Sequence, residues 1–390
     1  MLKTQFLEHS PETQLRNVGW DWLLGSDTLP YLTKEVVIVK NNEIDAYYEA
    51  TNTLYEMCVA AAQYVIDNQL WEAAGIPKNL IELIEQSWND DRHWYIYGRF
   101  DLAGGIDNQP IKLIEFNADT ATCIPETAIV QWAHLKANDL NGSKQFNDLY
   151  ESLVRQFVEL RERNADLSPS LLLSTMKDNP EDDTNVSVLG EAAREAGFDV
   201  EYACIDDVEF SESDGIFCEN KTTGQFEFFN FWFKLVPWEF IAYDEPELTQ
   251  ILTQIVKNRK VIILNPAYTL LFQSKYILKI LWDLYPNHPL LLETKAEPLH
   301  NQTQVEKVLL GREGANVRII EPDQSTSNSV GGDYGHYAKI YQSYTEFTKD
   351  AAGLSYQAGI FWAGEACGLG FRRGNKILDN TAQFVGHIIG

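Results

Sequence analysis

Two carboxylates and an amide interrupt strand-like runs of this sequence: Asp101 in "YGRFDLAGG", then Glu115 and Asn117 in "IKLIEFNADTATC". Side chains alternate across a strand, so Arg99 and Asp101 share one face, and Glu115 and Asn117 share one face of the next run. The intervening "AGGIDNQP" is rich in turn formers and predicts an antiparallel hairpin. If the connection is centred on Asn108, Asp101 falls opposite Glu115 and Arg99 opposite Asn117. Two carboxylates and an amide oxygen then converge, a hard-oxygen donor set suited to a magnesium ion that also keeps waters or phosphate oxygens. The spacing equally permits an exposed hairpin face laced with one salt bridge.

Cations recur further along the chain at positions suited to phosphate. Lys275 shares a helical stripe with Leu271, Leu278 and Trp282, so its ammonium either snorkels to the surface or meets a bound anion. Lys307 precedes the loop Gly311-Arg312-Glu313-Gly314, where two glycines let backbone approach a ligand and Arg312 offers a fork of donors; most such loops are also hairpin turns. Arg372 and Arg373 follow a Gly-x-Gly strand, and one of the two faces the same cleft. Thr120, Thr122 and Cys123 lie in the loop before a helix beginning near Pro125, a start that offers N–H groups to an anion; Cys123 also fits a small buried residue.

The whole-chain charge sets these cations apart. With 31 Lys and Arg against 57 Asp and Glu, the net charge of −26 excludes nucleic acid and anionic membrane as main partners, so polyphosphate needs a local basic cluster. Five scattered cysteines without a C-x-x-C pair predict reduced thiols, and seven histidines show no zinc spacing. No segment has a secretory pattern or the apolar length of a membrane span, so a cytoplasmic protein is expected.

The elements that must position these residues read as α/β. Residues 1–90 are expected to be mainly helical, with apolar periodicity from Glu43 to Glu85, and 91–165 to hold the hairpin and further helices. Residues 166–265 run "PSLLLST", an acidic loop "KDNPEDDTN", a helix "VSVLGEAAREAG" and "FDVEYACI", a strand-helix-strand unit of a parallel sheet. Between Val208 and Pro237 the expectation is aromatic loop, followed by "KVIILNP" as a buried strand. Residues 266–390 begin with one helix, "YTLLFQSKYILKILWDLY", and continue as strands, with "EPDQSTSNSVGGDYGH" the most polar loop.

Taken in order, "YGRFDLAGG…IKLIEFNADTATCIPETAIVQW", "FKLVPWEF", "LNPAYTLLFQSKYILKILWDLYPNHPLLL", "GREGANV" and "GLGFRR" resemble the synthetase module of the glutathionylspermidine synthase family. The resemblance implies a permuted ATP-grasp ligase fold with a smaller parallel α/β domain and a helical N-terminal layer, and no amidase domain. It implies ATP and Mg2+ as cofactors, and as partners a small carboxylate such as a glutathione-like peptide and an amine such as a polyamine. Asp101, Glu115 and Asn117 match the family's magnesium ligands and Arg99 its arginine beside the transferring phosphate. Lys275 and Lys307 match the nucleotide-phosphate lysines, Arg312 the lid and Arg372 the C-terminal phosphate arginine, while Gln342 falls near the strand edging adenine. Departures are Val308 after Lys307 where the family has proline, Arg373-Gly374 in place of Glu-Asp, Leu378-Asp379 in place of Ile-Thr, and no Leu-Pro around Glu346-Phe347. The expected function is ATP-dependent carboxylate-amine ligation through an acyl phosphate; a nucleotide- or peptide-binding module without turnover is the alternative.

Overall fold

Continuous apolar runs dictate one of the sheets. Ser170–Thr175, Phe231–Lys234 and Ile262–Leu264 are buried along nearly their whole length, which fits strands covered on both faces. In the computed structural model, which describes residues 2–26, 30–220 and 223–390, they join Asp199–Cys204 in a four-stranded parallel sheet. The helix Pro180–Glu195 is the crossover, as the sequence predicts. Its beginning differs from expectation: most of the acidic stretch expected as loop is the helix's first turn. Asn179 caps it by accepting a bond from Asp182 N–H, Pro180 presets the first turn, and Glu181, Asp182 and Asp183 suit the positive helix end.

The region between Val208 and Pro237 also departs from the loop expectation. Val208–Ser211, Gly215–Glu219 and Phe226–Phe229 form a three-stranded antiparallel sheet, and Phe231–Lys234 lies inside the parallel sheet. Cross-strand aromatic pairs account for it: Phe217 packs against Phe226 and Phe228 at ring separations of 5.5 and 5.2 Å.

The acidic hairpin belongs to a six-stranded antiparallel sheet. Lys112–Asn117 is its edge, followed by Gly98–Ala103, Ser355–Trp362, Ala366–Gly374 and Gln383–Val385, with Thr348–Lys349 paired to Ser355–Trp362. The hairpin register is the predicted one, Arg99 opposite Asn117 and Asp101 opposite Glu115. Its apolar face is pinned by Phe100 and Phe116, stacked 3.8 Å apart. A one-residue slip would turn the acids into that core, so this packing fixes where they point.

Another antiparallel sheet carries Lys307. Its order is Thr294–Lys295, Lys339–Ser343, Gln304–Val308, Arg318–Ile320 and Thr326–Ser329, so part of the expected polar loop is strand. The N-terminal layer contains the helices Asn41–Asp67 and Ile81–Trp88, but Glu35–Val39 adds a strand that pairs with Thr4–Phe6 on one side and with His387–Ile389 on the other. No helix among the described residues is long and apolar enough to cross a membrane.

Lys275 departs most from its expected setting. The single helix drawn from sequence is two, Thr269–Gln273 and Tyr276–Leu284. Ser274 between them is extended, its hydroxyl donates to Ala74 O at 2.7 Å, and Lys275 N–H donates to Leu309 O at 2.9 Å instead of continuing the helical ladder. Lys275 therefore stands at a helix start, not in the middle of an apolar stripe.

Behind the hairpin, Lys234 ends the parallel sheet's second strand and meets Asp119 at 3.1 Å, with both side chains fully buried. Lys234 also donates to Val236 O at 2.8 Å and lies 4.1 Å from the Trp238 ring centre; Asp119 Oδ2 accepts from Trp238 N–H at 2.9 Å. Lys234→Met strands a buried carboxylate and is expected to cost about 3–5 kcal/mol, read from the urea midpoint. A loss under about 1 kcal/mol, the worth of an exposed pair, would refute this role for the pair.

Candidate active site

One cavity of about 500 Å³ lies where the sheet of the acidic hairpin, the sheet of Lys307 and the parallel-sheet region meet, and every candidate residue from the sequence except Cys123 lines it. Cys123 is buried behind the wall, its Sγ 3.6 Å from Arg372 Nη1 and 3.8 Å from the Tyr31 hydroxyl.

The hairpin supplies the acids. Arg99 grips Asp101 with two bonds, Nε to Oδ1 at 2.7 Å and Nη2 to Oδ2 at 3.1 Å, and donates through Nη1 to Thr122 O at 2.8 Å. Asn117 Nδ2 donates to Asp101 Oδ2 at 3.1 Å. Burial pushes the Asp101 carboxyl up against the pull of Arg99, with neighbouring Glu115 adding to the rise. Glu115 goes the other way: burial opposes its charge, yet Lys275 and Lys307 hold it down at about 2.

Those two lysines arrive from different elements. Lys275 Nζ sits 3.1 Å from Glu115 Oε2 and donates to Gly311 O at 2.7 Å. Lys307 Nζ donates to Gln342 Oε1 at 2.8 Å and Ile114 O at 2.9 Å. Burial lowers Lys307 to about 8, an effect Glu115 opposes. Gln342 Nε2 in turn donates to Leu113 O at 3.3 Å, and Leu292, Val305, Ile319 and Phe347 give this end of the cavity an apolar lining. A flat heteroaromatic ring fits such a slot, with lysines beyond it for phosphates.

The glycine-flanked loop reaches across the cavity. Arg312 donates to Thr120 Oγ1 at 2.8 Å and to the fully buried Glu239 at 2.6 Å. Gly314 has φ of +70°, and a Cβ there would lie 2.3 Å from Leu378 O, so only glycine lets the loop approach this closely. Thr120 and Thr122 thus already serve the arginines. The expected helix-start anion pocket has prior occupants too: Ile124 N–H donates to Asn185 Oδ1, and the N–H groups of Ala118 and Asp119 to Gln273 Oε1.

Sequence reasoning missed several residues of this wall. Tyr31, Glu181, Asp182, Glu313 and Asp379 all line the cavity. Burial, then Glu126 and Asp182, raises Glu181 to about 7; burial, then Asp183 and Glu313, raises Asp182 to about 6. The Asn-Pro-Glu-Asp-Asp order is a helix-start signal that would have placed both acids on a fixed first turn. The cavity therefore has a cationic wall and an acidic end.

No group of three or more His, Cys, Asp or Glu among the described residues has the arrangement of a metal centre. Two carboxylates paired across the hairpin, with an amide bonded to one of them, nonetheless form a hard-oxygen set that fits a magnesium ion completed by ligand oxygens. Here Arg99 and Lys275 compensate the two negative charges.

The fold belongs to the glutathione synthetase-like ATP-grasp class. A glutathione synthetase-like effector of Globodera pallida superposes with a TM-score of 0.58, covering 98% of each chain at 10% identity. The sequence comparison is more specific: the family model described as "Glutathionylspermidine synthase preATP-grasp" matches residues 3–390, and the chain belongs to that family. A Haemophilus influenzae protein with the provisional name acid–amine ligase is 31% identical over 96% of this chain and 95% of its own length. The bifunctional glutathionylspermidine synthetase/amidase of Escherichia coli is 25% identical over 75% of this chain and 49% of its own length. Trypanothione synthetase of Crithidia fasciculata is 24% identical over 85% of this chain and 54% of its own length. The chain thus spans about half the length of these last two relatives.

Held above the ordinary carboxyl value, Glu181 favours folding when protonated; that contribution is fully present below about pH 4.5 and lost as pH rises through about 7. Glu181→Gln is neutral throughout. It is expected to raise stability on the order of 1–3 kcal/mol at pH 8 and much less at pH 5; equal gains in chemical denaturation at both pH values would contradict the assignment.

Proposed function

We propose that this protein is an ATP-dependent acid–amine ligase acting through an acyl phosphate. The observation that carries the proposal is one cavity whose lining combines apolar residues beside Gln342, buried and half-buried cations, and a group of acids. The slot beside Gln342 takes the nucleobase, and Lys275 and Lys307 meet the phosphates behind it. Asp101, Glu115 and Asn117 would hold magnesium, which when bound would supply positive charge to offset that of the phosphates.

Arg99, Arg312 and Arg372 carry the charge of phosphoryl transfer. As the γ-phosphoryl leaves ADP for the substrate carboxylate, they neutralise the transferring oxygens, and preformed donors in a buried site need no reorganisation. An amine then attacks the acyl carbon and phosphate departs. For that step the amine must shed its proton, and Glu181, near 7 in this setting, is suited to accept it. Thr120 and Thr122 lie where the acid would sit.

The acidic end favours an amine that carries charge, and the family and its named relatives favour a glutathione-like acid with a polyamine. These are readings of the same cavity and stand or fall with it.

ATP with magnesium should raise the melting temperature, and phosphate should appear only when a suitable acid and amine are both present. Asp101→Asn and Glu115→Gln should each lower kcat/KM by about 10²–10³-fold, the scale of removing one charge-stabilising group. Binding without phosphate release across a broad panel of acids and amines would favour a binding module instead.

A further inference from the structure

Arg372 has no carboxylate within ion-pairing distance among the described residues, and unlike Lys307, whose ammonium donates to Gln342 Oε1 and Ile114 O, it keeps donors that no oxygen accepts. Nη2 donates to Ala382 O at 2.8 Å, Nη1 has only the weak Cys123 sulfur as acceptor, and the buried Nε has no partner. An acid lies close by all the same: Glu126 is fully buried, and one of its oxygens, Oε2, is also without a partner. What occupies the other oxygen is Tyr31, whose hydroxyl donates to Oε1 at 2.6 Å while its ring lies 5.7 Å from the Arg372 guanidinium. Tyr31 and Arg372 line the cavity; Glu126 is set behind them.

We propose that Tyr31 is a positioning residue that withholds Glu126 from Arg372, keeping the guanidinium uncompensated and directed at an anionic ligand. Tyr31 is fitted for this because its ring supports the cation at the same time as its hydroxyl restrains the acid. Burial raises the Tyr31 hydroxyl well above its ordinary value, so it remains a donor; burial also raises the Glu126 carboxyl, a rise that the Tyr31 bond and the nearby Arg372 oppose. With the hydroxyl gone, the carboxylate's nearest source of compensation is Arg372, and an arginine paired internally binds phosphate less well. Tyr31 comes from a segment anchored beside the site, since Tyr31 O accepts from Phe384 N–H and Thr33 N–H donates to Phe384 O.

This inference rests on the nucleotide reading of the cavity, and its test separates the two. ATP and inorganic tripolyphosphate are titrated by calorimetry against the full chain and its variants, each first checked for cooperative unfolding. Tyr31→Phe, which keeps the ring, should weaken both ligands about ten-fold or more, the scale of losing one charged hydrogen bond. Adding Glu126→Gln to Tyr31→Phe should restore most of that affinity, because the competing charge is gone. A purely structural tyrosine predicts no such rescue, so a double variant no better than Tyr31→Phe, or a Tyr31→Phe equal to wild type, overturns the inference alone. A wild-type chain that binds neither ligand overturns the nucleotide reading.

Discussion

The buried contact between Lys234 and Asp119 is the constraint on which the site depends. Asp119 follows the acidic hairpin directly, and Lys234 closes the second strand of the parallel sheet, so the pair joins two sheets that share no strand. An ion pair this deep earns little stability by itself, since desolvation offsets most of the attraction. What it supplies is registration. Asp119 also accepts from Trp238 N–H, which fixes the turn leading to Glu239, the acid that receives Arg312. Through those bonds the position of the glycine-flanked loop is referred back to the hairpin.

Charge is arranged at two scales. The chain as a whole is strongly acidic, yet the cavity wall collects guanidinium and ammonium groups that are buried or half-buried. Each buried cation but one has an acidic partner or an array of carbonyl and amide oxygens, as burial of charge demands. Because the partners are themselves positioned by sheets and caps, the field inside the cavity is fixed before any ligand arrives. An acidic exterior and an acidic cavity end would act in the same direction on any cationic ligand.

The hairpin was the most legible part of the sequence because its information is local. Strand alternation and a turn-rich connection specify which residues oppose each other, and the register of Arg99, Asp101, Glu115 and Asn117 follows. The parallel sheet was legible for a similar reason, through its continuous apolar runs. Lys275 was misplaced because apolar periodicity runs on through Ser274, whereas the break depends on Ala74 and Leu309, distant in sequence. The aromatic strands after Val208 were hidden by their shortness and by aromatic residues on both faces. Tyr31 and Glu239 reach the site through pairings 95 and 73 residues apart, which no local pattern encodes.

The broken helix at Ser274 couples two parts of the site that would otherwise be independent. Lys275 is attached to the strand end at Leu309 by its backbone and to Gly311 by its side chain, while its charge faces Glu115 on the hairpin. Any displacement of the loop around Arg312 must therefore stretch or release a bond to this lysine. Loop position and the electrostatic balance at Glu115 become one variable. Opening the loop would change not only access to the cavity but also the charge state that the acids present to whatever enters.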